Sequence, residues 1–178
     1  MSGHSHTKTI KHKKEITDQK RGRLFSKLLN AVAIAGRQES NPQFNPRLRT
    51  AVEKARENNV PQENIDRAIK RASEEKNLEE LIIGAYGPEG VVLLIEAITD
   101  NKNRTIPEIK RILSEHKAKF TEPESVRWVF DPLTGRDDRW QAKFKQELSE
   151  ENKNKLSQLI QELENQDDVQ KVYTNANF

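Results

Sequence analysis

Residues 45–72, NPRLRTAVEKARENNVPQENIDRAIKRA, constrain the fold more tightly than any other stretch of the chain. They read as two short helices joined by a tight turn. Asn45 is a good N-cap, and Pro46 suits the first helical position because proline lacks the N–H that would go unpaired there. Leu48, Val52 and Ala55 recur at i, i+4 and i+7 and form one narrow apolar stripe. Asn58-Asn59-Val60-Pro61 stops that helix, and Pro61 begins the next with Glu63 in its first turn. Ile65, Ala68, Ile69 and Ala72 supply the second stripe.

At about 100° per residue, Arg47 and Lys54 fall on one flank of the first stripe, and Arg49 and Arg56 on the other. Arg67, Lys70 and Arg71 cluster opposite the second stripe. The unit can therefore bury its stripes and still present cations over a wide arc. For any single arginine a solvated helix face is the simpler account. Seven cations against Glu53, Glu57, Glu63 and Asp66 ask for more than that.

Charge along the whole chain is uneven. Residues 1–71 hold 16 Lys and Arg against 7 Asp and Glu, a balance of +9. Residues 72–178 hold 15 against 21, a balance of −6, and the two parts return the chain's +3. A basic end on an acidic remainder points to a polyanionic partner. An anionic membrane surface is the rival, but residues 1–16 lack the aromatic or Leu-rich face such a helix needs. No apolar run approaches the ~20 residues of a membrane span. Zero cysteines exclude disulfides, thiolate metal sites and a cysteine nucleophile, and fit a cytoplasmic protein.

In chain order, residues 1–16 read as a mobile basic arm that orders on its partner, with Lys8, Lys11, Lys13 and Lys14 close together. The arm has neither the apolar core of a secretory signal nor the amphipathic, Arg-rich pattern of a presequence. Thr17 or Asp18 can cap a helix to about Ala35, with Leu24, Leu28, Val32 and Ala35 on one face and Phe25 and Leu29 widening it. Gly22 would allow a bend, and Gly36 is a C-cap. Residues 17–72 thus form a three-helix bundle.

After a polar linker the pattern changes to α+β. Residues 78–86 and 91–99 are strand-like and joined by Gly87-Pro88-Glu89-Gly90; the run VVLLIEAI predicts a strand buried on both faces. A helix over 105–116 turns Ile109, Ile112 and Leu113 inward. Residues 126–131 and 139–147 are expected to be strands that pair antiparallel across the short loop 132–138. Ser149 caps a helix to about Asn165, and residues 168–174 form the last strand. The order β-β-α-β-β-α-β over 78–178 predicts helices laid on one sheet.

No Walker-type glycine loop, HExxH pair or GxSxG elbow occurs, so no catalytic centre is assigned and no cofactor is expected. His4 and His6 are read as polar arm residues rather than metal ligands. His116 serves the dipole at a helix end, and Asp167-Asp168 form a polar turn. Glu96, inside an apolar strand, must be paired or lie at an edge.

Taken in order, short motifs resemble the YebC/PmpR family of bacterial regulators, which includes mitochondrial translational activators. They are Gly3-His4-Ser5, Lys20-Arg21-Gly22-Arg23-Leu24-Phe25-Ser26-Lys27, Asn45-Pro46-Arg47-Leu48-Arg49 and Asn64-Ile65-Asp66-Arg67-Ala68-Ile69. Tyr86-Gly87-Pro88-Glu89-Gly90, Asp100-Asn101-Lys102-Asn103-Arg104-Thr105 and 167–175, DDVQKVYTN, complete the series. Two features depart from the family pattern. His6-Thr7 stands where the family has Lys-Trp. The loop 132–138 stands where the family inserts a third domain between two halves of the second.

The resemblance implies nucleic-acid binding without catalysis, either promoter DNA or ribosomal RNA on the ribosome; the residues themselves predict no membrane partner. Gly3, His4, Ser5, Lys8, Lys11, Lys13, Lys14, Lys20, Arg21, Arg23, Lys27, Arg47, Arg49, Arg67 and Arg71 are the expected contact residues, with Arg104 as a secondary one. Backbone cations would supply affinity, and the acidic domain would point away. A protein-interaction module would leave the basic end unexplained.

Overall fold

The computed structural model describes residues 4–74, 77–133 and 140–178. A helical N-terminal region is followed by an α+β domain. The first helix, α1, runs His4–Ala35. It takes up residues 4–16 of the expected basic arm and starts well before Thr17 and Asp18. The physical reason is continuity: residues 4–21 contain neither proline nor glycine and include Lys, Glu and Gln, all good helix formers. The helix continues through Gly22, where a Cβ would meet nothing within 4 Å. It ends at Gly36, whose N–H donates to the Val32 carbonyl at 2.9 Å. An added Cβ there would lie 3.3 Å from the Ala72 Cβ, so this glycine lets the ends of the first and third helices meet.

Helices α2 (Pro46–Glu57) and α3 (Gln62–Arg71) follow. Asn45 is buried and works in two directions. Its Oδ1 accepts the Leu48 N–H at 3.0 Å, capping α2. Its Nδ2 donates to the Ala35 and Glu39 carbonyls at 2.7 and 2.8 Å, tying the end of α1 to the start of α2. Val32, Leu48, Ala55 and Ile65 are fully buried in the bundle core, whereas Ile69 only packs against its edge.

Strands β1 (Glu79–Tyr86) and β2 (Val92–Thr99) pair antiparallel from Glu79↔Thr99 to Tyr86↔Val92. Between them Glu89 (φ 54°) and Gly90 (φ 75°) take left-handed conformations that reverse the chain. Then come α4 (Lys102–Glu115), β3 (Lys119–Thr121), α5 (Glu124–Arg127), β4 (Phe130–Pro132), β5 (Trp140–Ala142), α6 (Glu150–Asn165) and β6 (Val169–Thr174). The main sheet has the order β3-β1-β2-β6, with every pairing antiparallel. One core joins Ile83, Leu93 and Ile95 to Ile109 and Leu113 of α4 and Leu156, Leu159 and Leu163 of α6. The opposite face carries Val92, Leu94 and Tyr173 under Val126, Val129, Phe130 and Trp140. β2 is buried along its whole length because both of its faces are covered.

Three expectations are corrected. Residues 126–131 are not one strand: Val126 lies in the short helix α5, and only Phe130–Pro132 is extended. The strand expected over 139–147 contracts to Trp140–Ala142. Lys119–Thr121 adds an edge strand that the expected order lacked. β4 and β5 do pair antiparallel, Phe130↔Ala142 to Pro132↔Trp140, in a sheet of their own. The loop expected over 132–138 lies mostly outside the described residues.

Candidate nucleic-acid interface

Helix α1 sets the geometry of the basic end. At 1.5 Å per residue its 32 residues extend to about 48 Å. Every described side chain from Lys14 to Leu24 is exposed, and α1 meets the bundle core only from Phe25 onward. His4, Ser5, Lys8, Lys11 and Lys13 stand on the helical backbone of its first turns, and Gly3 lies outside the described residues. Lys14, Lys20 and Arg21 are exposed, with the Arg21 guanidinium 5.2 Å above the Phe25 ring.

Other expected contact residues are engaged within the fold. Arg23 Nε lies 3.3 Å from Asp167 Oδ1. The Lys27 ammonium donates to the Glu164 carbonyl. Burial pulls the Lys27 pKa below the ordinary lysine value, against the opposing pull of Asp167 and Glu164. The acidic end of α6 therefore lies against α1, and the acidic domain does not simply point away from the basic end. Arg47 meets both carboxylate oxygens of Glu80 on β1. Arg49 donates to the Pro42 and Gln43 carbonyls at 3.2 and 3.0 Å and so closes the loop between α1 and α2. Arg104, expected as a secondary contact, donates to Asp100 and Asp168, each at 2.9 Å. On α3, Arg67 pairs with Glu63 at 2.8 Å on the surface, and Arg71 is exposed one turn further on.

A cleft of about 570 Å³ separates the helical region from the sheet. Arg47, Lys54 and Lys171 line it, but so do Glu80 and Glu96. Mixed charge of this kind does not make a phosphate track.

Two acidic residues do more than their sequence context indicated. Asp168 is buried and accepts hydrogen bonds from Thr105 Oγ1 at 2.6 Å, Arg104 at 2.9 Å and Thr99 Oγ1 at 3.2 Å. Burial alone would raise its pKa; the bonds from Thr105, Arg104 and Thr99 outweigh it and hold the carboxyl below the ordinary aspartate value. The signal was present in the DNKNRT and DDVQ motifs, whose hydroxyls and carboxylates meet here. Glu96 is paired on a central strand, accepting from Trp140 Nε1 at 2.8 Å and Tyr173 OH at 3.3 Å. His116 caps the end of α4, and its Nε2 lies 2.6 Å from Glu162 of α6. Among the described residues no cluster of His, Cys, Asp and Glu could hold a metal ion.

The architecture is thus that of a basic three-helix region, led by one long exposed helix, carried on an α+β domain. Known proteins share it. Residues 5–75 match the TACO1/YebC protein N-terminal domain, and residues 78–136 and 133–176 match the TACO1/YebC second and third domain. This chain belongs to the TACO1/YebC family. It is 47% identical over 137 residues to the probable transcriptional regulatory protein Teth39_1009 of Thermoanaerobacter pseudethanolicus, covering 75% of this chain and 56% of that one. A probable transcriptional regulatory protein of Chloroherpeton thalassium is 48% identical over 134 residues, 73% of this chain and 54% of the other. The chain thus spans about half the length of these relatives in the matched region. A third relative, from Acidobacterium capsulatum, is 33% identical over 235 aligned positions, covering 98% of this chain and 96% of its own. Since this chain has only 178 residues, at least 235 less 178, or 57, of those positions have no counterpart in it. The crystal structure of a conserved hypothetical protein, Aq1575, from Aquifex aeolicus superimposes with a TM-score of 0.81 at 30% identity, over 90% of this chain and 91% of that one.

Proposed function

We propose that this chain is a non-catalytic regulator of gene expression that binds duplex DNA at promoters through its N-terminal helical region. The observation that carries the reading is α1, a long helix exposed from Lys14 to Leu24 with cations along it. A helix about 10–12 Å across fits the ~12 Å major groove of B-DNA. The names of the relatives, probable transcriptional regulatory proteins, agree with this reading. The positions missing relative to the Acidobacterium protein mean that any activity depending on them is not carried over. The site of action would be the cytoplasm, and among the described residues no helix is long and apolar enough to cross a membrane.

Arg23, Lys27, Arg47 and Arg49 already have partners within the fold, so Lys14, Lys20 and Arg21 are the better test. Replacing all three with Ala should weaken binding to all duplex sequences alike. It should also flatten the slope of log K against log[salt] by roughly two to three units, ~0.9 for each phosphate that is no longer neutralised. Full-length protein that binds ribosomal RNA but no duplex DNA at the same salt would overturn the promoter reading. Failure to bind any nucleic acid at low salt would overturn the nucleic-acid reading as a whole.

A further inference from the structure

Between α1 and α3 lies a cavity of about 200 Å³, lined by Leu29, Asn30 and Ala33 of the first helix and Asn64, Arg67, Ala68 and Arg71 of the third. Leu29, Ala33 and Ala68 supply apolar surface. Arg67 and Arg71, one helical turn apart, contribute guanidinium groups, and Asn30 and Asn64 add one side-chain amide from each helix. Both asparagines are half-buried, yet among the described residues neither amide has a hydrogen-bond partner. Arg67 makes an exposed i,i+4 pair with Glu63, a weak interaction that a phosphate can displace, and Arg71 would likewise exchange an interaction that it already makes.

We infer that this groove seats one sugar-phosphate unit of a duplex DNA backbone, with the sugar C–H surface on the apolar residues and the phosphate between the two arginines. Guanidinium and amide N–H groups are both established donors to phosphate oxygens, and such bonds fix register rather than read sequence. The small side chains Ala33 and Ala68 leave room for the sugar where larger residues would fill the groove. The seat adjoins α1, so a helix in the major groove and a clamp on one flanking strand would act together. The inference rests on the nucleic-acid reading of the preceding section and names a part of that interface, Asn30 and Asn64, that the charge pattern alone does not mark.

The test uses the full chain, a duplex that it binds, and a set of duplexes each carrying one uncharged methylphosphonate in place of a phosphate. With wild-type protein, one phosphate position on the clamped strand should lower affinity about tenfold more than its neighbours do. With the double variant Arg67→Ala/Arg71→Ala, the same substitution should have no further effect, and the salt slope should flatten by about one unit. Asn30→Ala/Asn64→Ala should weaken duplex binding severalfold while leaving the salt slope unchanged, since no charge is removed. Addition of the duplex should also move the side-chain amide resonances of Asn30 and Asn64 in an NMR titration, a readout independent of folding stability. Wild-type binding with no phosphate sensitive to Arg67 and Arg71, or with unmoved amide resonances, overturns the seat while leaving the broader reading intact. The same sensitivity found in single-stranded RNA but not in duplex DNA overturns the assignment to a duplex. Absence of any nucleic-acid binding overturns both.

Discussion

Replacing Asp168 with Asn tests the polar centre that locks α4 to β6. The carboxylate is 7% exposed and receives three side-chain donors. Hydrogen bonds to a charged group are worth ~1.5–3 kcal/mol each, and the loss is greatest where donors stay buried. Arg104 is 46% exposed at its side chain, so its share is discounted for solvent screening. All three bonds fall on Oδ2, so an asparagine that places its amide oxygen there keeps the acceptor but loses the charge that strengthens each bond. The expected loss is about 2–4 kcal/mol at pH 7, most of it from Thr105 and Thr99. With a urea slope of ~2 kcal/mol/M, the unfolding midpoint should fall by roughly 1–2 M. The pH dependence follows from the sign of the shift. The folded pKa of Asp168 lies below its ordinary value, so its stabilisation is present above the ordinary aspartate pKa of ~3.9 and is lost as pH falls through the folded value. The gap between wild type and variant should therefore narrow in acid. Thr105→Val keeps the charge and the shape and should cost only ~1–2 kcal/mol. An Asp168→Asn midpoint equal to wild type at pH 7, or a gap that does not change from pH 7 into acid, would refute the argument.

Leu28→Ala should cost ~2–5 kcal/mol, whereas Ile69→Ala should cost clearly less, because Leu28 is in the bundle core and Ile69 at its edge; urea midpoints for both variants check the order. Gly84→Ala should destabilise by roughly 1–3 kcal/mol or more, since its Cβ would stand 2.7 Å from Val126 Cγ2 and 2.9 Å from the Glu122 carbonyl oxygen. Calorimetric melting of that variant, compared with Gly22→Ala where the space is open, separates crowding from helix or strand propensity.

Apolar periodicity carried the parts of the fold that were legible in the sequence. Leu48, Val52 and Ala55 are all buried, and the continuous run of β2 lies in the centre of the sheet. Capping signals were less decisive. Thr17 and Asp18 have cap chemistry, but the residues before them are helix formers and the helix passes through. Ser149 does stand at the N-cap of α6, yet its hydroxyl donates to Glu89 at 3.0 Å rather than capping its own helix. α5 and β3 span four and three residues, too short for either period to repeat. For the candidate interface, the cations were visible but their availability was not. Arg47 depends on Glu80, 33 positions away, and Lys27 on Glu164, 137 positions away. Only the packed fold reveals which charges are already answered.

The connection between β4 and β5 explains how this fold can be shared with longer relatives. The two segments of the second-and-third-domain match meet at residues 133–136, next to the antiparallel pairing of Phe130–Pro132 with Trp140–Ala142. Both flanks are anchored independently of what joins them. Phe130 is buried in the second core, while Trp140 donates to Glu96 and lies with its ring 5.0 Å from the Arg127 guanidinium. Loop-closure entropy rises only slowly with length, by ~0.6 kcal/mol for each doubling. A flexible Gly/Ser insert that lengthens the connection between Leu133 and Trp140 fourfold should therefore cost about 1.2 kcal/mol. For a chain of this size that corresponds to a fall in Tm of roughly 2–5 °C, with the near-UV signal of Trp140 retained. A loss of several kcal/mol, or collapse of that signal, would show that the connection itself, and not the anchored strands, determines the pairing.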